Sequence, residues 1–292
     1  MSIREDYQHY LERQQTFNAM PMSAYFRQQE KRYVHPFRMF GNLYYVGETW
    51  VCIHLVDTGD GLLLIDAGNY NTSGLLVNAI WEAGFKPSDV RWILLPHGHV
   101  DHIGNAELFR NLFGSRLYLG EPDAKMFAEN PARSFLQDNP NVTESLFEPD
   151  VIIHDGEVLT FGATTIEFVL VPGHTAGCIA CFFEVSDGQE TKRAGFYGGF
   201  GFNTLAKSYL QDIGDGGYEM RKVYLASLDK VIDQPVDIFL GNHAVNNKII
   251  EKRNYQIEHP GSNPYIDPKE WRSYLEGKKQ ELLAFMDDPA NN

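Results

Sequence analysis

Residues 91–120 read RWILLPHGHVDHIGNAELFRNLFGSRLYLG. The first five, RWILL, form an apolar run of the length of a buried strand. The loop PHGHVDHIG at 96–104 follows it directly, and AELFRNLFG at 106–114 has helical spacing and stops at glycine. RLYLG at 116–120 is again a strand. A strand, a polar loop, a helix and a strand in about thirty residues predict an α/β arrangement, with the histidine-rich loop at a strand end.

Working outward, the same texture continues on both sides. Upstream, NLYYVG and WVCIHLV predict strands, the turn DTGDG at 57–61 follows, then the buried strand LLLID at 62–66 and a helix over SGLLVNAIWEAG at 73–84. Downstream, residues 121–149 read as helical or irregular. EVLTFGATTIEFVLVPG then reads as strand, turn and strand, and CIACFFEV as a strand. YEMRKVYLASLDKVI is an amphipathic helix, DIFLG a strand, and 268–286 a polar helix. Residues 1–40 read as a polar lead-in, in which Tyr7, Leu11 and Phe17 are spaced as on a short amphipathic helix. No linker or repeat divides the chain. The expected organisation is an N-terminal extension at 1–35, one domain at 36–260, and a C-terminal helix in 261–292 packed on that domain.

Composition narrows the partners. The 292 residues hold 25 Lys plus Arg against 39 Asp plus Glu, a net charge of −14. Such an acidic chain is a poor match for nucleic acid or an anionic membrane surface. Three cysteines do not build a disulfide framework. The N-terminal stretch lacks the apolar segment of a signal peptide, and no run approaches the length of a membrane span. The expectation is a cytoplasmic protein acting on a small molecule.

The chemistry sits in His97-Gly98-His99-Val100-Asp101-His102, four potential metal ligands in six residues. Neutral imidazoles crowded beside one carboxylate are ready ligands for a borderline metal such as zinc. Neighbouring side chains diverge, so one tetrahedral ion cannot take all four. His97 and His99 point one way, Asp101 and His102 another, and each pair needs a partner. His174 follows the strand TTIEFVLV and His243 follows DIFL, both at strand ends where α/β sheets build sites. Two metals with three protein ligands each result, leaving positions open as catalytic sites do.

The HxHxDH loop, the GHTxG turn at 173–177 and the late histidine resemble the metallo-β-lactamase superfamily. PFRMFGNLYYVG at 36–47, GDGLLLIDAG and AGFKPSDVRWILL resemble its third subclass, which binds both zinc ions without a cysteine. The resemblance is close over 36–126 and thinner from 150 to 253. It implies a four-layer αββα sandwich of α+β type, two mixed sheets face to face with helices outside and the site at one edge. Carried onto this chain, it implies that His97, His99 and His174 hold the first zinc, and Asp101, His102 and His243 the second, with iron or manganese as substitutes. It also gives Asp66 a place behind the ligands, fixing the metal loop; a turn-forming aspartate before glycine accounts for it equally well. The stretch 194–200 lacks the bridging aspartate found in the glyoxalase II and lactonase branches, and Pro96 replaces a usual hydroxyl residue. Ala176 and Cys178 replace the commoner proline and serine.

The reaction implied is water attack on the carbonyl of a cyclic amide of β-lactam type, an ester or a thioester, with Asp101 orienting the nucleophile. The alternatives are a lactone or thioester hydrolase of a cytoplasmic metabolite, and a non-hydrolytic metal-binding or sensor protein. The glycine-and-aromatic region 195–218 is expected to border the metal site, with Tyr197, Phe200 or Phe202 touching substrate; the same rings are equally suited to a core. Cys178 and Cys181 would point to opposite faces of a strand, which argues against ligation. His54 reads as a hydrogen-bonded structural histidine, and His9, His35, His154 and His259 have no partner spacing.

Overall fold

The computed structural model describes residues 28–135 and 146–291; the expected helix around Tyr7, Leu11 and Phe17, and His9, lie outside them. Seven strands form one sheet in chain order: β1 (Phe37–Phe40), β2 (Leu43–Tyr45), β3 (His54–Asp57), β4 (Leu62–Ile65), β5 (Val90–Leu94), β6 (Arg116–Gly120) and β7 (Val151–Ile153). The first four pair antiparallel and the pairs from β4 to β7 are parallel. Five strands form the second sheet: β8 (Val158–Phe161), β9 (Thr164–Leu170), β10 (Ile179–Ser186), β11 (Thr191–Tyr197) and β12 (Ile238–Leu240), ordered β12-β11-β10-β9-β8. Only its β11–β12 pair is parallel. Both sheets are mixed.

Burial explains the layering. Phe37, Tyr45, Leu63 and Ile65 from the first sheet meet Phe161, Phe168, Phe183 and Phe196 from the second in one core. The other face of the first sheet packs Leu64, Ile93 and Leu117 under helices α1 (Ser73–Glu82) and α2 (Ala106–Phe113), with Phe127 of α3 (Glu121–Glu129). The other face of the second sheet packs Phe182 and Tyr197 under α5 (Glu219–Val231) and α7 (Glu270–Asp287), through Tyr224, Leu228, Trp271 and Leu275. Helices α4 (Lys207–Asp212) and α6 (Ile249–Glu258) complete the set. The result is the expected αββα sandwich. No helix among the described residues is long and apolar enough to cross a membrane.

Several expected boundaries move. The polar lead-in ends earlier than residue 40, because Phe37, Met39 and Phe40 are buried in β1. Before it, Arg32 is 1% exposed and paired with buried Glu48, Nε to Oε2 3.2 Å. Strand β3 begins at His54 rather than Trp50, because Val51 bridges to His243 and the Cys52 amide donates to Asn242 O at 2.9 Å. The first half of WVCIHLV therefore ties the two sheets together. Residues 195–197 belong to β11, not to a loop; a Cβ on Gly195 would press on Val236 (2.5 Å), so the glycine there serves packing. Strand β7 and helix α6 have no counterpart in the sequence expectations. Cys181 lies in the inter-sheet core and Cys178 in the core beneath α5, on opposite sides of their sheet as expected.

Candidate metal centre

The register brings the ends of separate strands to one edge. In the parallel β4–β5 pair Ile65 lies opposite Leu94, so Asp66 starts its turn beside the loop that carries His97. In the antiparallel β9–β10 pair Leu170 lies opposite Ile179, which closes the turn holding His174. The parallel β11–β12 pair sets Phe196 opposite Leu240, so Gly198 and His243 emerge side by side. His97, His99, Asp101 and His102 therefore hang from the first sheet, and His174 and His243 from the second.

The structure brings His97, His99 and His174 together, their ligand atoms within 4.8 Å of one another. The three rings are mutually near-perpendicular, with centroids 4.6 Å apart in each pair. His97 Nδ1 donates to Gly198 O at 2.7 Å, and His174 Nδ1 donates to Gly201 O at 2.9 Å. Those bonds fix the tautomers and leave both Nε2 lone pairs free to face inward. His174 Nε2 lies 3.0 Å from His99 Nδ1, a separation two ring nitrogens tolerate only around a shared proton or cation.

Asp101 and His102 form a second group, in which the tightest third member is His97. His243 stands at its edge, Nε2 3.6 Å from Asp101 Oδ2, while His102 Nε2 lies 3.3 Å from the same oxygen. His243 Nδ1 donates to Trp50 O at 3.3 Å, and its ring stacks on Trp50. Asp66 Oδ2 accepts from His102 Nδ1 at 2.5 Å and Asp66 Oδ1 from the Gly68 amide at 2.7 Å. Asp66 holds φ at +82°, a conformation costly for a residue with a side chain. The turn is held by the Asp66 amide bond to Leu94 O, 2.8 Å.

Electrostatics favour ligation at four of the five rings. Burial, then the neighbouring histidines, hold His97 and His99 well below the usual imidazole range. Burial pushes His174 and His243 down to about 4. These four rings are neutral donors near pH 7. For Asp101 burial acts upward, but His102, His243 and His99 outweigh it and keep the carboxyl ionised. For His102 burial acts downward, yet Asp101 and Asp66 raise it to about 10. Nε2 of His97 and of His99 is buried with no hydrogen-bond partner. Orphaned buried nitrogens on rings whose other nitrogen is already bonded fit a transition metal, for which imidazole is a common ligand.

The expected substrate contacts are corrected. Tyr197 is fully buried, stacked on Phe200 at 4.5 Å, and both belong to the core beneath α5 and α7. Phe202 packs on Tyr224 and Phe285. Strand β11 carries Tyr197 inward, and its glycine tail presents backbone to the metal edge instead. A Cβ on Gly199 would lie 2.8 Å from His174 Cγ, so this tail borders the site as expected but supplies carbonyls. His54 is buried and its Nε2 donates to Gly241 O at 3.1 Å, a structural role. Sequence reasoning missed three neighbours: Trp50 against His243, Phe135 against His99 at 4.7 Å, and Asp123 against the Gly98 amide. Each stands alone in its stretch, with no motif to mark it.

A four-layer sandwich that gathers paired histidine clusters at one edge defines a class of metal-binding folds, and comparison places the chain within it. A sequence model of the Metallo-beta-lactamase superfamily matches residues 52–187. Solved relatives include BJP-1, a subclass B3 metallo-beta-lactamase of Bradyrhizobium japonicum, with 25% identity, TM-score 0.75, and 89% of this chain and 96% of that one covered. The FEZ-1 metallo-beta-lactamase from Legionella gormanii has 26% identity and TM-score 0.77, covering 88% and 97%. An uncharacterised Mycobacterium leprae protein is 30% identical over 142 residues, 47% of this chain and 62% of that protein. A hydroxyacylglutathione hydrolase, GloC, of Haemophilus influenzae is 26% identical over 220 residues, 75% and 93%. Residues 52–187 thus resemble the metallo-β-lactamase superfamily, and the fold is the one seen in its subclass B3 members.

Proposed function

We propose that the protein is a dizinc hydrolase that cleaves a cyclic amide of β-lactam type, an ester or a thioester in a small cytoplasmic molecule. The observation that carries this reading is the set of inward ring nitrogens whose opposite nitrogens are already bonded, as at His97 and Gly198 O. His97, His99 and His174 would hold one ion, and Asp101, His102 and His243 the other. Zinc held there supplies Lewis acidity towards a carbonyl oxygen and a water acidic enough to ionise near neutrality. Asp101, ionised and partly open to solvent, accepts a hydrogen from the attacking water and aims it. Asp66 holds the His102 ring in place through Nδ1, and the glycine tail does the same for His97 and His174.

Thioester hydrolysis is the second reading, favoured by the length over which the chain matches the hydroxyacylglutathione hydrolase. Against it, residues 194–200 carry no carboxylate to bridge two ions. The test is a zinc-loaded preparation assayed against β-lactams, lactones, esters and glutathione thioesters, before and after chelation. About two zinc per chain, with β-lactam turnover lost to chelator and restored by zinc, is expected. A zinc-loaded protein that turns over no member of the panel overturns the hydrolase reading in favour of a sensor. Turnover confined to thioesters selects the second reading.

A further inference from the structure

Asp123 is fully buried at the start of α3, 24 residues beyond His99 and 51 before His174 in the sequence. Its Oδ2 accepts from the Gly98 amide at 2.7 Å and from the Thr175 hydroxyl at 2.8 Å, and its Oδ1 accepts from the Gly177 amide at 2.8 Å. Gly98 lies between His97 and His99, and Thr175 follows His174. One carboxylate therefore grips both loops that supply the three-histidine cluster, although the loops hang from different sheets. The surroundings are built for that grip: a Cβ on Gly177 would lie 2.7 Å from Asp123 Cγ, and one on Gly98 would lie 2.6 Å from the Phe127 ring. Thr175 is 7% exposed, so water does not replace any of these bonds.

We propose that Asp123 is a positioning residue that sets the spacing of the two ligand loops and thereby the metal affinity of the three-histidine site. This rests on that site binding metal. Donors converge on both carboxylate oxygens, which only a carboxylate can satisfy; an amide at the same place turns an NH2 group against at least one of them. The mismatch releases one loop relative to the other and widens a cluster whose His99 and His174 nitrogens now stand 3.0 Å apart. His102 keeps its own support on Asp66, so the effect is confined to one of the two sites.

The experiment titrates Co2+ into metal-stripped full-length parent, Asp123→Asn, Thr175→Val and Thr175→Ser, with a competing chelator, recording affinity and the visible cobalt spectrum. The expected result for Asp123→Asn is first-site affinity weakened about 10- to 100-fold, with an altered spectrum and unchanged second-site binding. Thr175→Val removes one donor and should weaken the site several-fold, whereas Thr175→Ser keeps the hydroxyl and restores parental affinity. If Asp123→Asn does not fold, the two Thr175 variants decide. Parental affinity and spectrum in Asp123→Asn, or in Thr175→Val, overturn the role of Asp123. A parent that binds no cobalt overturns the metal-site reading itself.

Discussion

Asp101 meets two imidazole nitrogens through a single oxygen, and it is the proposed ligand whose charge and shape can be changed separately. Asp101→Asn keeps the volume and removes the charge. It should leave the His97, His99 and His174 cluster occupied, about one equivalent of zinc, while turnover falls on the order of 10²-fold or more. Metal analysis beside steady-state rates checks this, and a kcat within a few-fold of the parent would exclude the proposed role. Tyr197 invites the opposite expectation. Its hydroxyl is buried without a partner, so Tyr197→Phe removes an unsatisfied group and should hold or raise stability by up to about 1 kcal/mol. Relative rates across a substrate panel should not move; a change in selectivity would return Tyr197 to the pocket wall. At this scale the histidine cluster was legible, because His97 and His99, two apart in a loop after a strand, and His174 after another, are brought together as their spacing suggested. Asp123 was not, since an acid in the first turn of a helix is what any helix start looks like.

At the scale of elements, the strands that deliver ligands were readable and the edges were not. LLLID, RWILL and TTIEFVLV are apolar runs between turn signals, and each ends on, or within three residues of, a residue of the site. Strand β7 is three residues long, and α6 leaves Tyr255 and Ile257 exposed, so neither has a periodicity to read. The glycine tail after β11 misled in a different way. Its composition suggested a pocket wall whose rings touch substrate, whereas Gly199 and Gly201 are required by the approach of the His174 ring. Gly199→Ala tests this: the added methyl would overlap that ring, 2.8 Å from Cγ and 3.0 Å from Cβ. Such overpacking costs about 1–3 kcal/mol, taken largely from the geometry of His174. The expected result is at least tenfold weaker metal binding at the three-histidine site with a cooperative melt retained. Unaltered affinity would mean that the tail is free to move aside.

For the molecule as a whole, the two sheets meet through buried polar contacts as well as through the aromatic core. His54 on β3 reaches Gly241 beyond β12, and burial pushes its pKa down to about 4. The unfolded chain, with histidine near 6.5, binds more protons in the window between those values, so stability falls as pH drops through it. The contribution lost by pH 4 is about 3 kcal/mol. Denaturant melts of parent and His54→Asn across pH 4 to 7 should give a shallower pH slope for the variant, and parallel curves would remove His54 as the cause. The four-layer order itself was foreseeable from the family motifs, but the insertion of Arg32 beside Glu48 was not, because one arginine in a polar stretch carries no sign of burial.

The division of the ligands between the sheets has a mechanical consequence. An ion shared by His97 and His174 would be a rivet through a seam, joining two layers that otherwise hold along that edge by packing and by buried hydrogen bonds such as His97 to Gly198 O. Its supply then acts as a setting on how firmly the sandwich is closed, worth about 4 kcal/mol when free metal stands a thousandfold above its dissociation constant. Stripping the metal should lower the melting temperature. It should also speed amide exchange first at the riveted ends of β4, β5 and β12, well before the far margin around β1 and β8. A uniform rise in exchange would mean that the layers are clamped elsewhere. Without its ion the protein would stand ajar as well as idle, and proteases would meet the open seam first.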